Sequence, residues 1–146
     1  MQGKRMLIII FIGIFLVGCQ IGSQRVALKN NEKDIVCIEL MYDKSHSVAG
    51  DQEALYVLDE NEVEEFVEAL CDLEVHTHWS PSGGFGRLFV EISYKDGSKE
   101  VIGVSAIEYI SSTGEQEFDD WHYVDYYDIY DLFSLYVEKE LLPSHG

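Results

Sequence analysis

The residue pattern predicts an α+β domain, with a single-layer antiparallel sheet of about five strands and two helices packed on one face. Three observations predict it. Short β-branched runs alternate in hydropathy with period two, as strands do. An Asp96-Gly97 pair stands between two such runs. Two other stretches place apolar residues three and four apart, which makes a helical stripe. Strands gathered in runs with few helices imply an antiparallel sheet covered on one side, rather than a parallel sheet covered on both.

In chain order, residues 35–42 (IVCIELMY) read as a strand with Val36, Ile38 and Leu40 on one face. Residues 43–53 are a polar loop, and 55–58 a second strand. Asp59 then precedes Glu60-Asn61-Glu62, acids suited to the unpaired amides and positive end of a helix. Val63, Phe66, Val67, Leu70 and Leu73 supply its apolar stripe, and Glu64, Glu65, Glu68 and Asp72 the opposite face. Residues 74–79 (EVHTHW) alternate as a strand, and the Ser, Pro and Gly content of 80–86 marks a loop. The arms 87–95 and 98–107 flank Asp96-Gly97, read as a hairpin turn with both central residues at positive φ. Leu88, Val90, Ile92 and Tyr94 form the inner face of the first arm. Residues 107–111 continue the sheet, 112–115 turn, and 118–124 (FDDWHYV) return as one strand. Asp125 caps a final helix over 126–141 that turns Tyr126, Ile129, Tyr130, Phe133 and Val137 inward, and Pro143 ends it.

The N-terminus has a different grammar. Lys4 and Arg5 precede an unbroken apolar stretch, residues 6–17, closed by Gly18 and Cys19. A charged start, a short apolar run and a small residue are the parts of a secretory signal. The run falls short of the roughly 20 residues a membrane-spanning helix needs. Leu16-Val17-Gly18-Cys19 resembles the lipobox of bacterial lipoproteins. That resemblance implies diacylglycerylation of the Cys19 thiol, cleavage before it, and acyl chains (palmitate among them) holding the domain on the extracytoplasmic face of the cell membrane. Each buried methylene of such chains contributes about 0.8 kcal/mol, so two or three chains anchor stably. The competing reading is an uncleaved anchor with an incidental cysteine. The expected organisation is a signal over 1–18, a lipid-anchored tether over 19–34 and the domain over 35–142. The tether expectation comes from QIGSQRVALKNNEK (20–33), which is polar and lacks periodicity.

The formal charge is −17, and removing residues 1–18 takes away Lys4 and Arg5 and no acid, leaving −19 on 128 residues. Such a chain is repelled by nucleic acid and by anionic head groups, which excludes nucleic-acid binding. A basic envelope or secreted protein is the partner this charge would meet. The stretch LYVLDENEVEEFVEAL, the hairpin within ISYKDGSKEVIGV, and an aromatic strand with a terminal helix together resemble the ectodomains of small lipoproteins of Gram-positive bacteria. The resemblance implies no activity and no functional residue.

His76 and His78 are two apart on a strand and point the same way; with His122 from another strand they would form a zinc site. The bland alternative is a pair of histidines on an exposed strand. The run DDWHYVDYYDIYD reads as a contact surface through Asp119, Asp120, Tyr127, Asp128 and Asp131, with Phe85 added from the glycine-rich loop. Its alternative assigns Trp121, Tyr123, Tyr126 and Tyr130 to packing. Cys37 and Cys71 are either a disulfide or two small buried side chains. His46 and His145 lie in polar contexts and read as surface. Residues 80–86 lack the pattern and lysine of a phosphate loop, and there is no Gly-x-Ser-x-Gly elbow. The expectation is therefore a non-enzymatic, membrane-anchored binding or accessory module needing no cofactor. An envelope metal-binding protein is the alternative, and a small hydrolase ranks behind both.

Overall fold

The computed structural model describes residues 24–44, 52–83 and 86–144. Eight strands and two α-helices are seen among them: β1 (Ile35–Asp43), β2 (Gln52–Val57), α1 (Val63–Cys71), β3 (Val75–Thr77), β4 (Leu88–Tyr94), β5 (Lys99–Gly103), β6 (Ile107–Ile110), β7 (Gln116–Asp119), β8 (His122–Val124) and α2 (Tyr126–Phe133). Six strands form an antiparallel sheet in the order β2-β1-β4-β5-β6-β7, and β3 pairs with β8 in a separate ribbon. The chain is thus α+β, with six strands in the sheet where about five were expected.

Period two decides which side chains enter the core. Ile38 and Leu40 of β1, Leu88, Val90 and Ile92 of β4 and Ile102 of β5 are buried on one face. Phe66 and Leu70 of α1 and Ile129 and Phe133 of α2 pack in the same cluster. Both helices therefore lie on one side of the sheet, and the apolar stripe of α1 is the one its spacing predicts. Glu62 reaches back to the Asp59 N–H (2.8 Å) and accepts from the Tyr56 hydroxyl (3.0 Å), tying the entry of α1 to β2.

Several local expectations are corrected. Val36 does not share the inner face: a register shift between Ile35 and Cys37 leaves it 59% exposed. The Asp96-Gly97 turn forms the expected hairpin, but only Gly97 (φ 86°) has positive φ. Gly97 N–H donates to Tyr94 O and Tyr94 N–H to Ser98 O, so Lys95 and Asp96 form the turn proper and Gly97 the bulge after it. Asp96 stabilises the turn by accepting from the Ser98 N–H (2.9 Å) and hydroxyl (2.5 Å). Residues 98–111 are two strands, because the chain reverses after Gly103, whose N–H donates to Ala106 O. No residue of that turn has positive φ, so it lacks the glycine that betrays other turns. The final helix ends at Phe133 rather than 141. The Ser134 hydroxyl donates to Asp131 O (2.7 Å), and the amides of Leu135 and Tyr136 donate three residues back. The tighter winding buries Val137 and leaves Leu135 outside.

The largest correction concerns the expected tether. From Gln24 on, the segment belongs to the domain. Val75 N–H donates to Gln24 O (2.7 Å), Val26 N–H donates to Leu73 O (3.0 Å), and Val26 is buried. Arg25 bridges to Glu74 in antiparallel register and pairs with Asp72. Further on, Glu100 Oε1 accepts from the backbone N–H of Lys29 (2.6 Å) and Asn30 (3.3 Å) and from the Tyr94 hydroxyl (3.0 Å). The Asn30 amide donates to Ser98 Oγ (2.6 Å). A polar, aperiodic segment is recruited here because its partners are backbone groups and one carboxylate, which hydropathy does not register.

Glu100 is 3% exposed. Burial raises its pKa above the usual carboxylate range despite the opposing hydrogen bonds from Lys29, Tyr94 and Asn30. The folded state therefore holds this proton more tightly than the unfolded chain. The resulting stability is fully present below the unfolded pKa and is lost as pH rises through the folded one. Glu100→Gln keeps an acceptor oxygen without the charge. In urea unfolding from pH 4 to pH 8, its stability is expected to gain on that of wild type as pH rises. Glu100→Ala leaves buried donors unpaired and should cost about 3 kcal/mol at pH 4, the difference from wild type shrinking as pH rises.

Candidate functional site

Two surfaces stand out: a corner where the two sheets meet, and the face of the large sheet that carries no helix among the described residues.

The corner forms because the run read as one strand, residues 118–124, is split between sheets. β7 pairs with β6, the chain bends at Asp120 and Trp121, and β8 pairs with β3. Asp119 makes the bend. Its Oδ1 accepts from the N–H groups of Trp121 (3.0 Å) and His122 (3.1 Å), and its Oδ2 contacts His122 Nδ1 (2.7 Å). Burial works to raise the Asp119 pKa, but the His122 side chain and these two amides outweigh it and hold the carboxyl below its ordinary value. Asp120 accepts from Ser82 N–H through its carbonyl and from Gly83 N–H through its carboxylate. Both corner acids thus serve the local backbone.

The three histidines divide between the two faces of the ribbon. His76 is level with Tyr123, and Thr77 with His122. His76, His78 and Tyr123 share one face, where the Tyr123 ring stacks on His78 (centroids 4.1 Å) and lies tilted to His76 (5.6 Å). His122 is on the other face. His78 Nε2 lies 2.8 Å from Ser105 O, and since a carbonyl only accepts, that nitrogen donates. The expected zinc ligands are therefore not convergent: strand alternation turns His122 away, and His78 directs Nε2–H at a backbone oxygen. Among the described residues no three His, Cys, Asp or Glu side chains group to hold a metal ion.

Around this corner lie large exposed rings: Trp79 at 102% exposure, Trp121 at 46% and Phe118 at 45%. Trp79 and Phe118 did not stand out as contact residues from sequence. A signal existed: Trp79 directly precedes Ser80-Pro81-Ser82, where no strand continues to cover a ring. The Asp- and Tyr-rich run is otherwise divided by α2. Asp125 caps it by accepting from Tyr127 N–H (2.9 Å). Tyr127 (65% exposed) and Asp131 are outward, Asp128 is half-buried, and Tyr126 and Tyr130 pack against the core. Cys19, Phe85, His46 and His145 lie outside the described residues.

The second surface follows from register. Val57, Glu39, Glu91, Val101, Glu108 and Phe118 stand level with one another across all six strands, on the face opposite the helices. Lys99 donates to Glu91 (2.5 Å). Burial, then the neighbouring Glu91, raises the pKa of Glu108. Cys37 lies on this face beside Ser93, whereas Cys71 is on α1 on the other side. Both cysteines are free thiols, and the sheet between them corrects the disulfide expectation. Burial raises the pKa of each; at Cys37 the nearby Glu39 and Glu91 add to it.

The chain matches no protein-family model, no curated protein and no solved structure. Among the described residues, no helix is long and apolar enough to cross a membrane.

Asp119→Ala removes acceptors from two amides at the bend and should cost about 1–2 kcal/mol in chemical denaturation, with Asp119→Asn losing less. In alkylation followed by mass spectrometry, Cys37 and Cys71 should react slowly at neutral pH in the folded protein. In denaturant both should react fully without a reductant, and a requirement for reductant would contradict the free-thiol assignment.

Proposed function

We propose that this chain is a lipid-anchored, non-enzymatic accessory module of the cell envelope that binds a basic protein partner through the helix-free face of its sheet. The observation that carries this reading is the row Val57–Glu39–Glu91–Val101–Glu108–Phe118. It sets three acids, two of them side by side, among apolar groups over the width of the sheet, with exposed Val57 and Phe118 at its ends. Lys99, paired with Glu91, offsets one of its three acids. A rigid sheet holds such groups at fixed spacing, so little side-chain entropy remains to be lost on docking. Carboxylates among apolar side chains select a cationic, partly apolar counterpart and repel acidic ones. The charge of −17 steers such a partner from a distance.

Anchoring by Cys19 belongs to the same proposal and is supported by the Leu16-Val17-Gly18-Cys19 sequence after a short apolar run. The expected result is membrane fractionation of the intact protein and its loss in Cys19→Ala. In-cell crosslinking of the anchored protein should capture one reproducible basic partner. Its affinity should fall with added salt and drop about tenfold or more in Glu39→Lys/Glu108→Lys, the scale of one to two charge pairs reversed at an interface. Failure to capture a reproducible partner, or equal affinity in the charge-reversed variant, counts against the proposal.

A further inference from the structure

The position of the chain at Gln24 and the residues at the sheet corner bear on which end of the domain faces the membrane. Arg25 and Glu74 form an antiparallel bridge, and Gln24 O accepts from Val75 N–H. Followed backwards from Arg25 to Gln24, the chain therefore advances along β3 in the direction of Trp79. Trp79 stands four residues beyond Val75, about 13 Å along the ribbon. Cys19 precedes Gln24 by five residues, which span at most about 17 Å. The acylated residue therefore lies within that reach of Gln24, on the side of the ribbon toward which the chain points at Gln24.

The chemistry of the corner fits a lipid surface. Residues 75–83 carry no Asp, Glu, Lys or Arg in a chain that is 25% charged. Trp79 and Trp121 are exposed, and the His78 N–H donates to Trp121 O, which brings the two residues to the same corner. Asp119 directs its carboxylate to His122 and two amides, and Asp120 directs its own to Gly83. Indole combines an apolar body with one N–H and settles at the level of lipid head groups. A strongly acidic domain tethered to an anionic membrane is driven to present its least charged end.

We infer that the corner formed by Trp79 and Trp121 seats at the lipid–water interface beside the acyl chains on Cys19, an inference that rests on the reading of Cys19 as the lipidated residue. The lipid anchor and the rings then hold the domain at two points. The helix-free sheet face stands away from the lipid for its partner.

The chain contains two tryptophans, Trp79 and Trp121, so emission excited selectively in tryptophan, beyond the absorption of its nine tyrosines, reports this corner alone. The lipidated protein, purified from membranes, is reconstituted into phosphatidylcholine vesicles with or without brominated acyl chains, and co-flotation is measured on the same samples. The expected result is flotation, a blue-shifted emission relative to soluble Cys19→Ala, quenching by brominated lipid and protection from aqueous acrylamide. Trp79→Phe and Trp121→Phe should each retain part of the quenching. Protein that floats with unshifted, acrylamide-accessible emission overturns the orientation while leaving the anchor intact. Protein that does not float overturns the anchor and this inference with it.

Discussion

Glu100 holds together three parts of the chain that would otherwise have no reason to meet. Its Oε1 accepts from Lys29 and Asn30 in the N-terminal segment and from the Tyr94 hydroxyl at the end of the central strand β4. The carboxylate itself sits on β5 and is shielded from water. Burying a charge here is unfavourable, and the hydrogen bonds offset that cost only in part, since the carboxyl still takes up a proton above its ordinary range. What the arrangement secures is direction. With Lys29 and Asn30 held at one end and Gln24 on β3 at the other, the segment can leave the domain along a single edge.

The same logic of local polar groups governs the corner. A strand that must leave one sheet and join another loses ladder partners at the bend, and buried amides without partners are costly. Asp119 supplies acceptors for both Trp121 and His122. The histidine pairing and the hydrogen-bonded carboxylates are therefore consequences of building the bend, which leaves Trp79 and Trp121 exposed beside it. The sheet face divides in the same way: Phe89 and Val101 are buried on it, while Glu39, Glu91 and Glu108 remain partly open.

Much of the fold is legible in residue order because periodicity reports burial. The stripe of α1, the inner face of β4 and the hairpin at Gly97 each carry their own local signal. The turn after Gly103 carries none, since residues at negative φ need no special side chain. The packing of residues 24–31 is illegible for a different reason: the hydrogen bonds of Arg25, Val26, Asn30 and the Lys29 amide reach 47 to 71 residues along the chain and engage mainly backbone groups. For the candidate sites, alternation correctly set His76 beside His78, yet the place of His122 depended on which residue of β8 faces which of β3. The row of glutamates required the pairing of all six strands before it existed as a surface.

The centre of the sheet joins β1 to β4, and the N-terminal segment closes on a residue of β5. Neither contact is available to a chain that has emerged only as far as α1. β1 can pair with β2 early, but its other edge must wait for β4, and the entropy of closing that longer loop slows the pairing. A polypeptide of this topology cannot complete its central sheet until β4 and β5 have been made, so most of its length must be synthesised before the N-terminal segment has a carboxylate to close on.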